Sequence, residues 1–392
     1  MKSILILGAG IYQVPLIEKA QSMGYRTVVC SIPGNYPGFS IADKVYFEDT
    51  TDFKKCAQIA EKENVSGVCT SGTDVALISV GYICDKLKLS GITYKNALLS
   101  TNKCLMKEAF EKTNVPSPKY RICNTVEDAV NKSQELTFPI IAKVVDSSGS
   151  RGIEKIDSLN QVVKTCKEIL QYTKKEYFVI EEYISGEEFG AQVFVQKGRL
   201  ELCMLHGDIV SNNGKISVPV GHYVPYNLSQ KEIEKINDII EKIIKALGIY
   251  NSPLNIDFIK RGDEIYVLEV GSRAGATCLP ELVSIHYGID YYKYIILQAI
   301  GKPIDVKVKS ARPCAAYLIC SDKDGVLKEI KYTGLHSPML FNLSFDYKKG
   351  DTIRQFVVGP DRIGQYMVQG ESLPDILSYG KKVRDNIIIE IE

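Results

Sequence analysis

The sequence predicts an α/β amino-terminal domain, an α+β central region and a strand-rich carboxyl-terminal end. Three observations carry that reading. Through the first hundred residues, short apolar runs alternate with amphipathic ones, the pattern of βαβ units on a parallel sheet covered on both faces. Around residue 100 the alternation stops, and Pro116 and Pro118 punctuate an extended linker. From about Lys307 onward strand-like runs dominate, with turns at Asp324-Gly325, Lys349-Gly350 and Gly359-Pro360.

In chain order, the first region should hold strands Ser3–Leu7, Thr27–Ser31, Lys44–Phe47 and Ser66–Thr70. Helical patterns fall between them, around Val14–Met23, Asp52–Glu63 and Ala76–Leu87. Gly8 and Gly10 follow the first strand as in a dinucleotide fingerprint, but Gln13 stands where the third glycine belongs. Two glycines in a strand-to-helix turn are a weak pointer to nicotinamide or flavin. A helix near Lys103–Lys112 ends at Asn114, and short strands are expected at Ile140–Val145, Tyr177–Glu182 and Phe189–Val195. Ser229–Leu247 reads as an amphipathic helix opened by a Ser229/Glu232 capping box and stopped by Gly248. Its isoleucine stripe is packing.

A chain of 392 residues, 45% hydrophobic and 24% charged, with a formal charge of +1, has the composition of an ordinary globular protein of two or three domains. It has no basic block or acidic tail, so nothing recommends nucleic acid or an anionic membrane as partner. No apolar run reaches the roughly 18 residues that span a bilayer. MKSILILGAG reads as a first strand, not a signal peptide. The eleven cysteines are scattered without a C-x-x-C pair, which suits buried free thiols in a reducing cytosol. The four histidines lack zinc-motif spacing. His206, His286 and His336 read as structural.

Asp257 and Glu269 lie in two apolar strands, LNIDFIK and EIYVLEV, joined by a tight Arg261-Gly262-Asp263 turn. A hairpin centred on Asp263 makes them direct cross-strand neighbours, with Ile259, Ile265 and Val267 on the same face. Opposed carboxylates with side-chain roots about 5 Å apart repel. Burying them without a counter-ion costs several kcal/mol, and a divalent cation is the simplest partner. The competing reading is a shifted register with one acid in water. Arg273 adds a cation four residues on.

Lys143 closes the apolar strand PIIAK, and the small-residue loop Asp146 to Gly152, containing Ser148 and Gly149, follows it. Small residues let backbone N–H groups approach an anion; alone, the loop reads first as an ordinary hairpin turn, and the strand-borne Lys143 before it, able to reach into the same anion site, shifts that reading. Further on, VIEEYISGEE ends a strand in a crossover whose backbone can read an adenine edge, and Glu188 can accept from ribose hydroxyls; standing alone, the segment reads first as a charged hairpin tip.

Taken in order, these pieces resemble the ATP-grasp superfamily over essentially the whole chain. The motifs are Asn102-Lys103 before a helix, NVPSP, PIIAK with SSGSRG, VIEEYISGEE, NIDFI and EVGSRAGAT. The E-x-G-x-R-x-G form resembles the branch containing L-amino-acid ligases. The layout is also similar to biotin carboxylase, glycinamide ribonucleotide synthetase and carbamoyl-phosphate synthase halves. The resemblance implies a Rossmann-like pre-ATP-grasp domain (1–100), an ATP-grasp core (101–306, lid about 116–185) and a small strand-rich domain (307–392). It implies that Lys103 and Lys143 contact ATP phosphates under the loop at Ser148 and Gly149. Glu181, Glu182, Tyr183 and Ile184 would line the adenine and Glu188 would hold the ribose. Asp257 and Glu269 would bind Mg²⁺, with Mn²⁺ as the alternative ion, and Arg273 would stabilise the transferred phosphoryl. His222, in VPVGHYVPY, would touch the substrate or merely pack. Two positions depart from the family pattern: Gly271 replaces a common asparagine, and Asn102 replaces an aspartate.

The implied reaction is ATP-dependent joining of a small-molecule carboxylate to an amine through an acyl-phosphate, in the cytoplasm, with a homodimer compatible with the resemblance. Rival readings are a purine-pathway or carbamoyl-phosphate-type ligase, a non-catalytic nucleotide sensor, and, more distantly, an oxidoreductase.

Overall fold

The computed structural model describes residues 2–146, 152–173, 175–211, 218–335 and 337–392. The amino-terminal region is built from β1 (Ser3–Leu7), α1 (Val14–Ser22), β2 (Arg26–Ser31), α2 (Gly38–Ile41), β3 (Lys44–Phe47), α3 (Phe53–Lys62), β4 (Val65–Cys69) and α4 (Leu77–Leu87). Its strands form a parallel sheet in the order β3-β2-β1-β4. The near-continuous burial of β1 and β2 is what a parallel strand covered on both faces requires. In the turn after β1, Gln13 fills the space that the dinucleotide fingerprint leaves open. Its side-chain carbonyl accepts the Gly10 N–H at 2.9 Å, and its amide donates to the Ser71 carbonyl.

Two helices, α5 (Tyr94–Thr101) and α6 (Lys103–Thr113), lead out of this region. Asn102 caps α6 by accepting from the Cys104 and Leu105 N–H groups, so a neutral amide does the work of the expected aspartate. A lid follows: β5 (Tyr120–Cys123), α7 (Val126–Ser133), β6 (Ile140–Val144), β7 (Ile153–Ile156), α8 (Val162–Ile169) and β8 (Phe178–Glu182). Its antiparallel sheet runs β5-β8-β6-β7 over its own apolar core.

The central region contributes β9 (Glu187–Gln196), β10 (Arg199–Ser211), β11 (Val218–Val224), α9 (Gln230–Leu247), β12 (Ser252–Arg261), β13 (Glu264–Gly271), α10 (Leu279–Tyr287) and α11 (Tyr291–Ala299). The carboxyl-terminal stretch adds β14 (Cys314–Ile319), β15 (Gly325–Tyr332), β16 (Leu340–Phe345), β17 (Thr352–Ile353), β18 (Gly364–Gln369), α12 (Leu373–Asp385) and β19 (Ile387–Ile391). Three of these late strands extend the central sheet, whose order is β13-β12-β9-β10-β11-β14-β18-β16. The strand-rich end is therefore continuous with the core sheet, and among its described residues only β17-β15-β19 forms a sheet of its own. The α9 stripe, with Ile236, Ile240, Ile243 and Leu247 fully buried, packs with Phe189, Ile256, Phe258 and Val267 on one face of that sheet. The opposite face packs Phe194, Leu202, Met204, Val224 and Ala316 into a second apolar core and also carries polar groups, Gln192, His206, Asp208 and His222 among them.

Candidate functional site

The β12–β13 register pairs Asp257 with Glu269, as expected. The path to that pairing differs. The tip is the two-residue turn Gly262-Asp263, closing on an Arg261↔Glu264 pair, and a bulge at Leu268 restores the register beside the acids. The bulge adds one residue to β13 and reverses its facing. Val267 and Ile265 consequently pair with Phe258 and Lys260 and enter the apolar core, while Ile259 faces Tyr266. The expectation that all three apolar residues share the acids' face is thus corrected.

Across β9 the register continues the polar face: Asp257 lies opposite Gly190 and Ile259 opposite Glu188. Gly190 in turn faces His206 on β10. A Cβ at Gly190 would run into the His206 ring, so the glycine is what lets the imidazole lie over the strand. Asp208 faces His222 on β11. Glu269, Asp257, Glu188 and Asp208 therefore share one face of the sheet. Enclosure by the cleft walls pushes the Asp257 carboxyl up to about 7, and Glu269 and Asp208 add to the rise. The carboxylate itself still opens to solvent, which makes it a group waiting for a counter-charge, not a core residue.

Asp257 is also oriented from behind. The Gly275 N–H donates to Gln192 Oε1 at 2.8 Å, Gln192 donates to Asn255 Oδ1 at 2.6 Å, and Asn255 donates to Asp257 Oδ1 at 3.2 Å. Gln192 is fully buried. Arg273, on the loop between Glu269 and Gly275, donates to Asp74 Oδ2 at 2.8 Å. Asp74 comes from the amino-terminal region, whose Ser71–Gly72 segment bridges to Ala274. Asp74 also accounts for Gly271: a Cβ there would come 2.7 Å from Asp74 Oδ1. The space of the missing asparagine is taken by an acid from another part of the chain.

Facing this sheet, α6 presents two buried lysines one turn apart. Lys103 Nζ lies 2.9 Å from Glu269 Oε1. Lys107 Nζ lies 2.7 Å from Glu181 Oε2, and Lys143 from β6 pairs with the other oxygen of the same carboxylate. Burial alone would raise Glu181, but the two ammoniums overcome it and hold the carboxyl down at about 2. Burial pushes Lys107 down, against the pull of Glu181. Two ammoniums sharing one carboxylate leave positive charge in excess, which suits a polyanion.

The remaining sequence-stated positions surround this arrangement. Ser148 and Gly149 lie outside the described residues. The described flanks are antiparallel β6 and β7, with the Val144 N–H donating to the Gly152 carbonyl. In the crossover, the N–H groups of Glu182 and Tyr183 donate to the Lys119 and Pro139 carbonyls, and the Glu182 side chain accepts from Thr137. Those two backbone donors are engaged inside the lid. Tyr183 is exposed, with the Lys155 ammonium 4.9 Å above its ring. Gly186 passes so close to the Lys260 carbonyl that a Cβ would collide with it. Enclosure raises Glu188 above the usual carboxylate range, with Asp208 adding to it.

Lys107, Asp74, Gln192, Asn255 and the His206–Asp208 pair are the site residues that sequence reasoning missed. His206, read as structural, stands in the polar cluster. His286 does pack, with Nδ1 2.6 Å from the Arg312 carbonyl and its ring against Tyr287. His336 lies outside the described residues.

Asp257 and Glu269, opposed across the hairpin with Lys103 paired only to Glu269, fit a hard divalent cation such as Mg²⁺. Gly271 contributes no ligand.

Comparison with known proteins agrees with this geometry. A family profile described as ATP-grasp domain matches residues 136–281. The chain is 34% identical to phosphoribosylglycinamide synthetase from Anaerococcus prevotii, with a TM-score of 0.87 and all of both chains covered. It superposes on L-amino acid ligase from Bacillus licheniformis with a TM-score of 0.83 at 16% identity, covering 100% of this chain and 99% of the other. Among curated sequences it is 28% identical to the carbamoyl phosphate synthase large chain of Thermoanaerobacter sp. (strain X514) over 272 residues, 68% of this chain and 25% of that protein. The chain thus spans about a quarter of the length of those curated relatives. Full-length similarity, the split sheet-and-lid core and the order of the motifs agree: the chain belongs to the ATP-grasp family.

Proposed function

We propose that this protein joins a small-molecule carboxylate, in the manner of an amino-acid ligase, to an amine, using ATP and Mg²⁺. The observation that carries the reading is the facing of two incomplete charge clusters. An acid pair short of a cation lies on the sheet, and a lysine pair short of an anion lies on α6 and the lid. The magnesium complex of a nucleoside triphosphate supplies both missing charges at once.

In this reading Lys103, Lys107 and Lys143 bind the phosphates, and Ile184 and Glu188 bind the nucleoside. Asp257 and Glu269 hold Mg²⁺, which when bound neutralises charge on the transferring phosphoryl group. A carboxylate oxygen of the substrate attacks the γ-phosphorus, the bond to the β-phosphate oxygen breaks, and ADP leaves. Arg273, fixed by Asp74, faces the acyl-phosphate so formed. The amine then displaces phosphate. Positioning and charge stabilisation do the work, and no covalent enzyme nucleophile is needed.

A purine-pathway activity is the second reading, favoured by the 34% full-length identity to the Anaerococcus protein. Against it stands Arg362, the cation beside the Tyr12 and Gly275 loops. It already donates to Asp346 at 2.9 Å and to Gln365, so a substrate phosphate would have to displace those partners. The deciding experiment is ADP release with Mg²⁺-ATP and separate pools of free L-amino acids, glycine with phosphoribosylamine, and bicarbonate with ammonia. Turnover with the amino-acid pool alone is the expected result. Turnover only with phosphoribosylamine overturns the first reading, and ATP binding without ADP in any pool leaves a nucleotide sensor.

A further inference from the structure

We infer that His222 is the general base that takes a proton from the nitrogen nucleophile, with Asp208 holding its imidazole in the tautomer that this requires. The inference rests on the carboxylate–amine ligase reading: an amine is mostly ammonium at neutral pH and has no lone pair for attack until a proton leaves.

The geometry is specific. The β10–β11 register sets Asp208 opposite His222, and His222 Nδ1 lies 2.7 Å from Asp208 Oδ1. A carboxylate only accepts, so Nδ1 carries the hydrogen and Nε2 keeps its lone pair for an incoming proton. Enclosure would raise the Asp208 carboxyl, but His206 and His222 hold it far below the usual carboxylate range. It therefore stays an anion. His206 stands edge-on to His222, ring centres 4.9 Å apart, with Nδ1 3.2 Å from the same Asp208 oxygen. Burial drives His206 toward its neutral form, so it walls the dyad without adding a competing charge. His222 is only 4% exposed. It shares the sheet face of Glu188 and Asp257, and the Gly275 loop that follows Arg273 is tied to that face through Gln192.

Among the described residues, the other titratable groups on elements packed against β11 are Arg199, Glu201 and Cys203 on β10, Cys314 and Tyr317 on β14, Glu281, His286 and Tyr287 on α10, and Asp361 on the 3-10 turn Gly359–Asp361. In the step itself, Nε2 takes one proton from the ammonium. The freed lone pair forms the C–N bond as the acyl C–O bond to phosphate breaks. The second nitrogen proton leaves with the departing phosphate, and the imidazolium returns its proton to solvent after product release.

The test uses the full chain with Mg²⁺-ATP and an equimolar mixture of the twenty protein L-amino acids, in two arms. One arm measures dipeptide formation. The other adds hydroxylamine, a nucleophile already uncharged at neutral pH, and measures hydroxamate. His222→Gln should lower dipeptide formation about 100-fold or more at neutral pH, with hydroxamate falling far less and the dipeptide deficit narrowing as pH rises. Asp208→Asn should fall in the same direction. Equal losses in both arms, or no loss of dipeptide, overturn the base. So does a dipeptide rate that Zn²⁺ or Co²⁺ stimulates in the parent but not in His222→Gln, because the ligand atoms of His206, Asp208 and His222 lie within 4.8 Å of one another. Absence of ADP in both arms for the parent protein removes the amino-acid ligase reading, and the base with it. Nitrogen-15 NMR separates the two failures without substrate: an Nε2–H tautomer of His222 at neutral pH sinks the base alone.

Discussion

Glu181 in the lid and Asp257 in the central sheet are both strand-borne carboxylates facing one cleft, and their surroundings drive them in opposite directions. Glu181 is almost fully buried between Lys107 and Lys143, and its carboxyl is held down at about 2. Asp257 opens to solvent, yet enclosure, Glu269 and Asp208 push it up to about 7. Burial alone does not set the state of an acid; the sign of its neighbours does. One half of the cleft is over-supplied with cations and the other with anions, and a ligand carrying both charges completes each.

The largest expected effect lies on the acid side. Asp257→Asn with Glu269→Gln should lower ADP release at least about a thousandfold, roughly 4 kcal/mol of transition-state stabilisation. Normal turnover by this double variant would remove the metal assignment. On the lid side, Glu181→Gln leaves two buried lysines facing each other. It should cost about 3–5 kcal/mol in urea unfolding; an unchanged midpoint would mean that the three charges are not coupled.

The two acids should also separate by pH, with opposite signs. A lowered carboxyl such as Glu181 gives stability that is complete above its ordinary value of 4.5 and is lost as pH falls toward 2. A raised carboxyl such as Asp257 binds extra protons in the folded state between its ordinary 3.8 and about 7, so its contribution is lost as pH rises through that window. Mg²⁺ with a non-hydrolysable ATP analogue should restore stability mainly above pH 7, and melting curves at stepped pH with and without the ligand read this directly. A metal-induced gain as large at pH 5 as at pH 8 would contradict it. The smallest effect concerns Asn255, whose amide donates to Asp257. Asn255→Ala should move the pH midpoint of Mn²⁺ binding upward by about one unit or less, because a hydrogen bond to a charged group is worth about 1.5 kcal/mol. An unmoved midpoint would show that the Gln192–Asn255 chain does not act on Asp257.

Much of this was legible in the residues. The parallel amino-terminal strands, the capped α9 and the opposed acids follow from alternation, capping and turn chemistry, which are local. What escaped depends on partners far along the chain. Lys107 lies one turn after Lys103 among Cys104, Met106 and Phe110 on the buried side of α6; that apolar company was the available signal, though a helical lysine ordinarily faces water. Asp74 follows β4 at the carboxyl end of the parallel sheet, a position that favours ligands, but its partner Arg273 is 199 residues away. His206 gained meaning only when β10 paired with β9 and β11. The course of the hairpin was misjudged because a bulge is set by the twist and by the neighbouring strand as much as by the turn itself.

That bulge makes the facing of the acid-bearing end of the hairpin a matter of parity. With the tight Gly262-Asp263 tip and no bulge, Asp257 would stand opposite Leu268, and Glu269 would point into the apolar core alongside Val267 and Ile265. One additional residue at Leu268 changes odd to even and returns Glu269 to the cleft. Changes in tip length are therefore not equivalent: an even insertion beyond the bulge preserves the facing of both acids, whereas deleting Leu268 alone turns a carboxylate inward. The same hairpin can vary in reach while its active end stays in phase, provided the count stays even.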